Sequence, residues 1–325
     1  MILLVAFAYC VPVSAQSTAG ITNIPDTSFT TYSTFISNKK KYPGIQIAGE
    51  FHSKSITDKK NITYCVQGKR TLQLDVFYPS QKARQKRTAL MIIFGGGWRS
   101  GNRSQHYPLA QRLANLGYVC FTPDYRLSTE AFYPAAVYDC KAALRWIHAH
   151  TKKYNIHPAK IVVAGFSAGG ELAAFLAVTN NNPSYEGNEC NLRGSSSVQA
   201  LVDMDGTLSF VHPESGEGDD SKKISASTYW FGYTRKDNPA LLTDASPLTH
   251  VDGHTPPTLF INSSVERMHA GRNDFIKALD KYHVYSEVQT FSDAPHSFPL
   301  LQPWFDPTVN YIDAFLKKVF KKDPQ

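Results

Sequence analysis

The stretch Lys160-Ile161-Val162-Val163-Ala164-Gly165-Phe166-Ser167-Ala168-Gly169-Gly170-Glu171-Leu172-Ala173-Ala174-Phe175-Leu176-Ala177 decides how the rest of the chain is read. A β-branched apolar run comes first, then Gly-x-Ser-x-Gly, then residues of high helix propensity. Strand, sharp turn and helix is the context in which that short pattern carries chemistry. Glycine at 165 and 169 lets strand and helix approach, and lifts Ser167 into a strained, exposed position. A helix starting just behind the serine aims its free N–H groups and positive dipole end at any negative charge forming there. Ser167 is therefore the candidate nucleophile.

A serine that attacks a carbonyl needs a base, a carboxylate to orient the base, and donors for the oxyanion. Of 11 histidines, His296 in Asp293-Ala294-Pro295-His296-Ser297-Phe298 is the expected base. It lies between the last strand and the last helix and follows the other members in chain order. The acid is expected in the turn after the penultimate strand, Asn262-Ser263-Ser264-Val265-Glu266-Arg267, which makes Glu266 the first choice. Asp274, where a helix begins and an N-cap is also needed, is the second choice, and Asp205, after the preceding strand, is the third. Gly95-Gly96-Gly97-Trp98 has the place and composition of an oxyanion loop, with one N–H from Gly96 or Gly97 and a second from Ala168. No Gly-x-Gly-x-x-Gly or Gly-Lys-Ser/Thr pattern accompanies it, so no nucleotide cofactor is expected, and no Cys-x-x-Cys pair suggests a metal.

The flanking pattern alternates strands and helices. Residues 63–66 and 72–78 read as a hairpin around Gly68; 88–94, 118–122, 160–164, 198–204, 258–261 and 285–291 read as strands. Residues 107–116, 135–154, 171–177 and 306–320 show helical spacing. This is an α/β chain with a mostly parallel, eight-stranded sheet between helices and antiparallel strands at its opening edge. Residues 16–59 form an N-terminal leader and 60–325 the main domain. A cap insertion at about 206–245, placed on the ligand side of the sheet, carries Trp230 and an acidic run.

The chain has 325 residues, of which 42% are hydrophobic and 19% charged, values for a globular unit of ordinary size. The net charge of +7 is spread over pairs such as Lys59-Lys60 and Lys152-Lys153, the mark of solvated surface, so no nucleic-acid partner is expected. Met1–Ala15 reads as an export signal, an apolar run closed by Val13-Ser14-Ala15, giving a secreted or periplasmic protein with no membrane association after its removal. Cys65, Cys120, Cys140 and Cys190 then remain and allow three disulfide pairings, although Cys120 and Cys140 also suit core positions. Oligomeric state is not legible in the sequence.

Gly95-Gly96-Gly97-Trp98-Arg99-Ser100-Gly101, Asp124-Tyr125-Arg126-Leu127, Tyr133-Pro134-Ala135-Ala136-Val137-Tyr138-Asp139, Gly165 to Gly170 and Pro295-His296 together resemble the α/β-hydrolase superfamily. Within it the chain is similar, from about residue 60 onward, to secreted bacterial carbohydrate esterases that deacylate xylan or pectin, of the feruloyl/acetyl esterase and hormone-sensitive-lipase-like type. The resemblance implies the α/β-hydrolase fold and cofactor-free ester cleavage through a Ser-His-acid triad and an acyl-enzyme. Its glycine loop usually opens with a supporting histidine; Phe94 stands there in this chain, so the loop needs another support. Trp98, Trp230, Arg99, Arg267 and Arg272 are the expected contacts to a polysaccharide, one bearing uronates included, or to a small ester. An inactive carbohydrate-binding module, and a lipase or peptidase using the same triad, are the alternatives. The acidic cap speaks against the lipase.

Overall fold

The computed structural model describes residues 15–321; the expected export signal, except Ala15, lies outside the described residues. In chain order the elements begin with α1 (Thr31–Lys39), β1 (Gln46–Ile47), β2 (Ile56–Gln67), β3 (Arg70–Pro79) and β4 (Arg87–Ile93). They continue with α2 (Tyr107–Asn115), β5 (Val119–Pro123), α3 (Ala135–Ala149), β6 (Ile156–Phe166), α4 (Ala168–Val178) and β7 (Ala200–Met204). The last part holds α5 (Ala226–Phe231), α6 (Pro239–Asp244), β8 (Thr258–Asn262), α7 (Arg272–Lys281), β9 (Ser286–Thr290), β10 (Leu301–Gln302) and α8 (Phe305–Phe320).

Eight strands form one sheet in the order β2-β3-β5-β4-β6-β7-β8-β9. The β2/β3 and β3/β5 pairs are antiparallel and the rest parallel, so the opening hairpin supplies the antiparallel edge. Alternation along β4 shows how the layers form. Ala89, Met91 and Ile93 join the core under α3 and α4, while Leu90 and Ile92 join the core under α2 and α8. Covered on both faces, the central strands consist almost wholly of buried residues, as parallel sheets require. This is the α/β-hydrolase arrangement expected above. Among the described residues no helix is long and apolar enough to cross a membrane.

The insertion after β7 folds into α5 and α6, and its aromatics pack inward. Trp230 has no exposed surface; it stacks on Trp98 at 4.9 Å between ring centres and meets Phe231 and Tyr133. The leader is tied down rather than loose. Ser17 N–H donates to Gly232 O, Asn23 N–H to Thr129 O, and Gly101 N–H to Asp26 O, so it crosses the cap and the glycine loop. Cys65 and Cys190 form a disulfide, while Cys120 and Cys140 are free and buried.

Candidate active site

The β6–α4 turn carries Ser167 at φ +56, ψ −122, a left-handed backbone that L-residues avoid. The turn tolerates no side chain at its two glycines. A Cβ on Gly165 would lie 1.8 Å from Gly169 O, and one on Gly169 2.2 Å from Ile93 O. Ser167 N–H donates to Met204 O at 2.9 Å, fixing the elbow to the end of β7. The serine sits in a cleft of about 740 Å³ also lined by Phe29, Gly97, Ala168, Arg267 and His296.

His296 is 129 residues away in sequence, and its Nε2 lies 2.9 Å from Ser167 Oγ. Its Nδ1 lies 3.0 Å from Asp205 Oδ2. A carboxylate only accepts, so Nδ1 carries the proton and Nε2 is left to accept from the serine hydroxyl. Asp205 stands just after β7 at φ +52, a conformation Asp tolerates better than most residues. Its side chain is fully buried. Burial pushes its carboxyl up, but hydrogen bonds from His269 and His296 and from Ser263 outweigh this and hold it below the usual carboxylate range.

The carboxylate beside the imidazole is thus Asp205 and not Glu266. Glu266 is exposed on the short turn Glu266–His269 and borders a separate cavity. Asp274 is also displaced by the geometry: it lies in the first turn of α7, paired with Lys277 at 2.8 Å and with His212 at 3.3 Å. The segment after β8 contributes donors to the acid instead. Oδ1 of Asp205 accepts from Ser263 N–H, Asn262 Nδ2 and His269 Nδ1.

Gly96 and Gly97 have φ +135 and +61, and both border the cleft with Ala168. A Cβ at 96 would lie 1.8 Å from Ser100 O, so only glycine permits this turn. Ala168 opens α4, where the N–H groups of the first turn lack intrahelical acceptors. The support lost with Phe94 comes from two other side chains. Gln105 brackets Gly95, accepting from its N–H at 2.9 Å and donating to its carbonyl at 3.2 Å. Tyr125 donates to Phe94 O at 3.0 Å and stacks on the Phe94 ring.

The expected substrate contacts divide. Arg267 lines the cleft. Trp98 touches it but is almost wholly buried, its indole N–H bonded to Glu171. Trp230 is core, because the cap needs an apolar interior to stay folded. Arg99 lies over the Tyr229 ring at 4.2 Å and donates to Gly20 O, holding the leader. Arg272 donates to Asn262 Oδ1 at 2.8 Å and so orients the amide that meets Asp205. Two cleft or support residues, Phe29 and His269, carry no signal in the sequence that sets them apart. Phe29 reaches the cleft because its N–H donates to Ser100 Oγ.

Fold and site together define a member of the α/β-hydrolase class, with its serine on the strand–helix elbow. The chain belongs to the BD-FAE family, whose profile matches residues 74–268. It is similar to esterase LipC of Mycobacterium tuberculosis, 30% identical over 264 residues, which covers 78% of this chain and 63% of LipC. It is also similar to the probable carboxylic ester hydrolase LipM of the same organism, 33% identical over 188 residues, covering 57% of this chain and 41% of LipM. The chain therefore spans less than two thirds of the length of these curated relatives. Among solved structures it resembles a truncated carbohydrate esterase from gut microbiota, with a TM-score of 0.68 and 23% identity over 83% of this chain and 99% of that one. A thermophilic esterase of Thermogutta terrifontis, solved with propionate bound, matches with a TM-score of 0.66 and 25% identity over 84% of this chain and 97% of that one.

Proposed function

We propose that the protein is a serine carboxylic-ester hydrolase working through Ser167, His296 and Asp205. The single observation that carries this is the unbroken hydrogen-bonded line from Ser167 Oγ through His296 to Asp205, with distances of 2.9 and 3.0 Å. His296 Nε2 takes the hydroxyl proton as Oγ attacks the ester carbonyl, and Asp205 stabilises the imidazolium so formed. The N–H of Ala168, with that of Gly96 or Gly97, receives the oxyanion. His296 then gives its proton to the departing alcohol, and water, activated by the same ring, releases the acid. Ser167→Ala should abolish hydrolysis of p-nitrophenyl acetate while leaving the melting temperature unchanged; activity near wild type would overturn the reading. The same geometry opposes an inactive binding module, and labelling of Ser167 by a fluorophosphonate separates the two.

The substrate we infer is an acyl or methyl ester on a plant cell-wall polysaccharide such as pectin or xylan. Support comes from the breadth of the cleft and from its rim. Glu217, Asp219, Ser221, Lys222, Lys223 and Arg267 surround the serine, a polar edge in place of the apolar lid of a lipase. Acetate and methanol release from acetylated xylan and pectin, set against tributyrin cleavage, tests this; activity on tributyrin alone would favour a lipase. Export through Met1–Ala15 is part of the proposal, and the Cys65–Cys190 disulfide supports it because such bonds persist in oxidising compartments. Mature protein recovered from medium or periplasm should begin at Gln16.

A further inference from the structure

The carboxylate that meets His296 is held by a second imidazole. His269 Nδ1 lies 3.3 Å from Asp205 Oδ1, while His296 Nδ1 lies 3.0 Å from Oδ2, so the acid is clasped between two histidines 27 residues apart (296 minus 269). His269 closes the turn Glu266–His269 between β8 and α7, and it is 8% exposed. Its exposed edge borders the cavity of about 440 Å³ that also holds Glu214, Glu266 and Arg272.

A carboxylate with one oxygen unheld can turn about its last bond, and its other oxygen then leaves the imidazole N–H. The donors on Oδ1 prevent this. Ser263 N–H, at 2.9 Å, and Asn262 Nδ2, at 3.3 Å, both come from the end of β8. His269 comes from a different segment, beyond the turn that follows that strand. We propose that His269 is a positioning residue: its Nδ1–H fixes the plane of Asp205 so that Oδ2 faces Nδ1 of His296. The segment after β8, where the acid itself was expected, thereby serves the triad from one step further out. No proton leaves His269 in the reaction; its task is to hold an orientation, and its effect falls on kcat rather than on substrate binding.

Three variants test this, each compared with wild type by thermal unfolding and by p-nitrophenyl acetate kinetics. His269→Phe keeps ring volume without a donor; kcat should fall about tenfold, the order expected of one hydrogen bond to a charged group, with KM within about twofold. His269→Asn places an amide N–H near the Nδ1 position and should recover kcat to within about threefold of wild type. The second-order rate of Ser167 labelling by a fluorophosphonate should follow kcat through the series. If His269→Phe does not fold, His269→Leu supplies the donor-free comparison. A folded donor-free variant with wild-type kcat overturns the proposal, and so does an Asn variant no faster than the donor-free ones. The inference rests on Ser167 acting through His296, and the two fail separately. An active Ser167→Ala removes that reading, whereas an inert Ser167→Ala beside unimpaired His269 variants removes only the positioning role.

Discussion

The indole N–H of Trp98 donates to Oε2 of Glu171 at 2.8 Å, joining the glycine loop to the first turn of the helix behind the nucleophile. Both partners are buried, so the bond sets the spacing between the two stretches that supply the oxyanion donors. Burial pushes the Glu171 carboxyl well above its ordinary range; the Trp98 bond opposes this and the charge of nearby Asp203 adds to it. Burial thus favours the neutral form of the Glu171 carboxyl, whose Oε1 lacks a protein partner.

That neutrality has a pH signature. A carboxyl raised on folding contributes its full stability below its unfolded value and loses it as pH rises. Glu171→Gln keeps an acceptor for the indole and has no proton to lose. Its melting temperature relative to wild type should rise as pH climbs above the ordinary carboxyl value of 4.5, measured from pH 5 upward. A flat difference across that range would contradict the neutral state. Glu171→Leu, which strands the indole N–H, should cost about 1–3 kcal/mol of stability at any pH.

The acid assignment has a direct kinetic test. Asp205→Asn should lower kcat by roughly a thousandfold or more, because the imidazole loses both its tautomer and its counter-charge. Glu266→Gln and Asp274→Asn alter exposed side chains outside the hydrogen-bonded line and should leave kcat within about twofold of wild type. A large loss in Glu266→Gln with an active Asp205→Asn would reverse the assignment.

His106 predicts loss of stability in mild acid. Its ring is buried edge-on to Phe166, neither nitrogen has a protein partner, and burial pulls its pKa down to about 3. A base lowered on folding contributes stability above its unfolded value near 6.5 and loses it as pH falls towards the folded one. The penalty reaches about 2 kcal/mol at pH 5. Chemical denaturation of His106→Met should show that much less loss between pH 8 and pH 5 than wild type; parallel losses would refute the assignment.

The Cys65–Cys190 bond closes a span of 125 residues and ties the β2 edge to the loop after α4. Removing it by the double substitution Cys65→Ala, Cys190→Ala should cost about 2–5 kcal/mol in urea denaturation. The bond lies on the flank of the sheet away from the cleft residues, so kcat at 25 °C should not change. A loss of kcat in the folded double variant would show that the bond shapes the site.

Local order made much of this protein legible. Gly165, Ser167 and Gly169 act over a few residues, and steric exclusion at such a turn is the same wherever it occurs. Strands β4, β5 and β8 and the second half of β6 declared themselves by short, mainly apolar runs, because burial on both faces leaves no room for alternation. Strand β7 carries the buried Asp203 within its run. His296 was found by chain order. The acid was not, since Asp205, Glu266 and Asp274 all stand shortly after strands that end on the same side of one sheet. Which of them meets an imidazole 91 residues from Asp205 depends on strand spacing and loop path, and these exist only in three dimensions. The same holds for Trp230 and Arg99, whose residue types suit a sugar-binding surface equally well. Packing placed one in the cap core and turned the other to the leader, because a small insertion has to bury apolar area before it can present any.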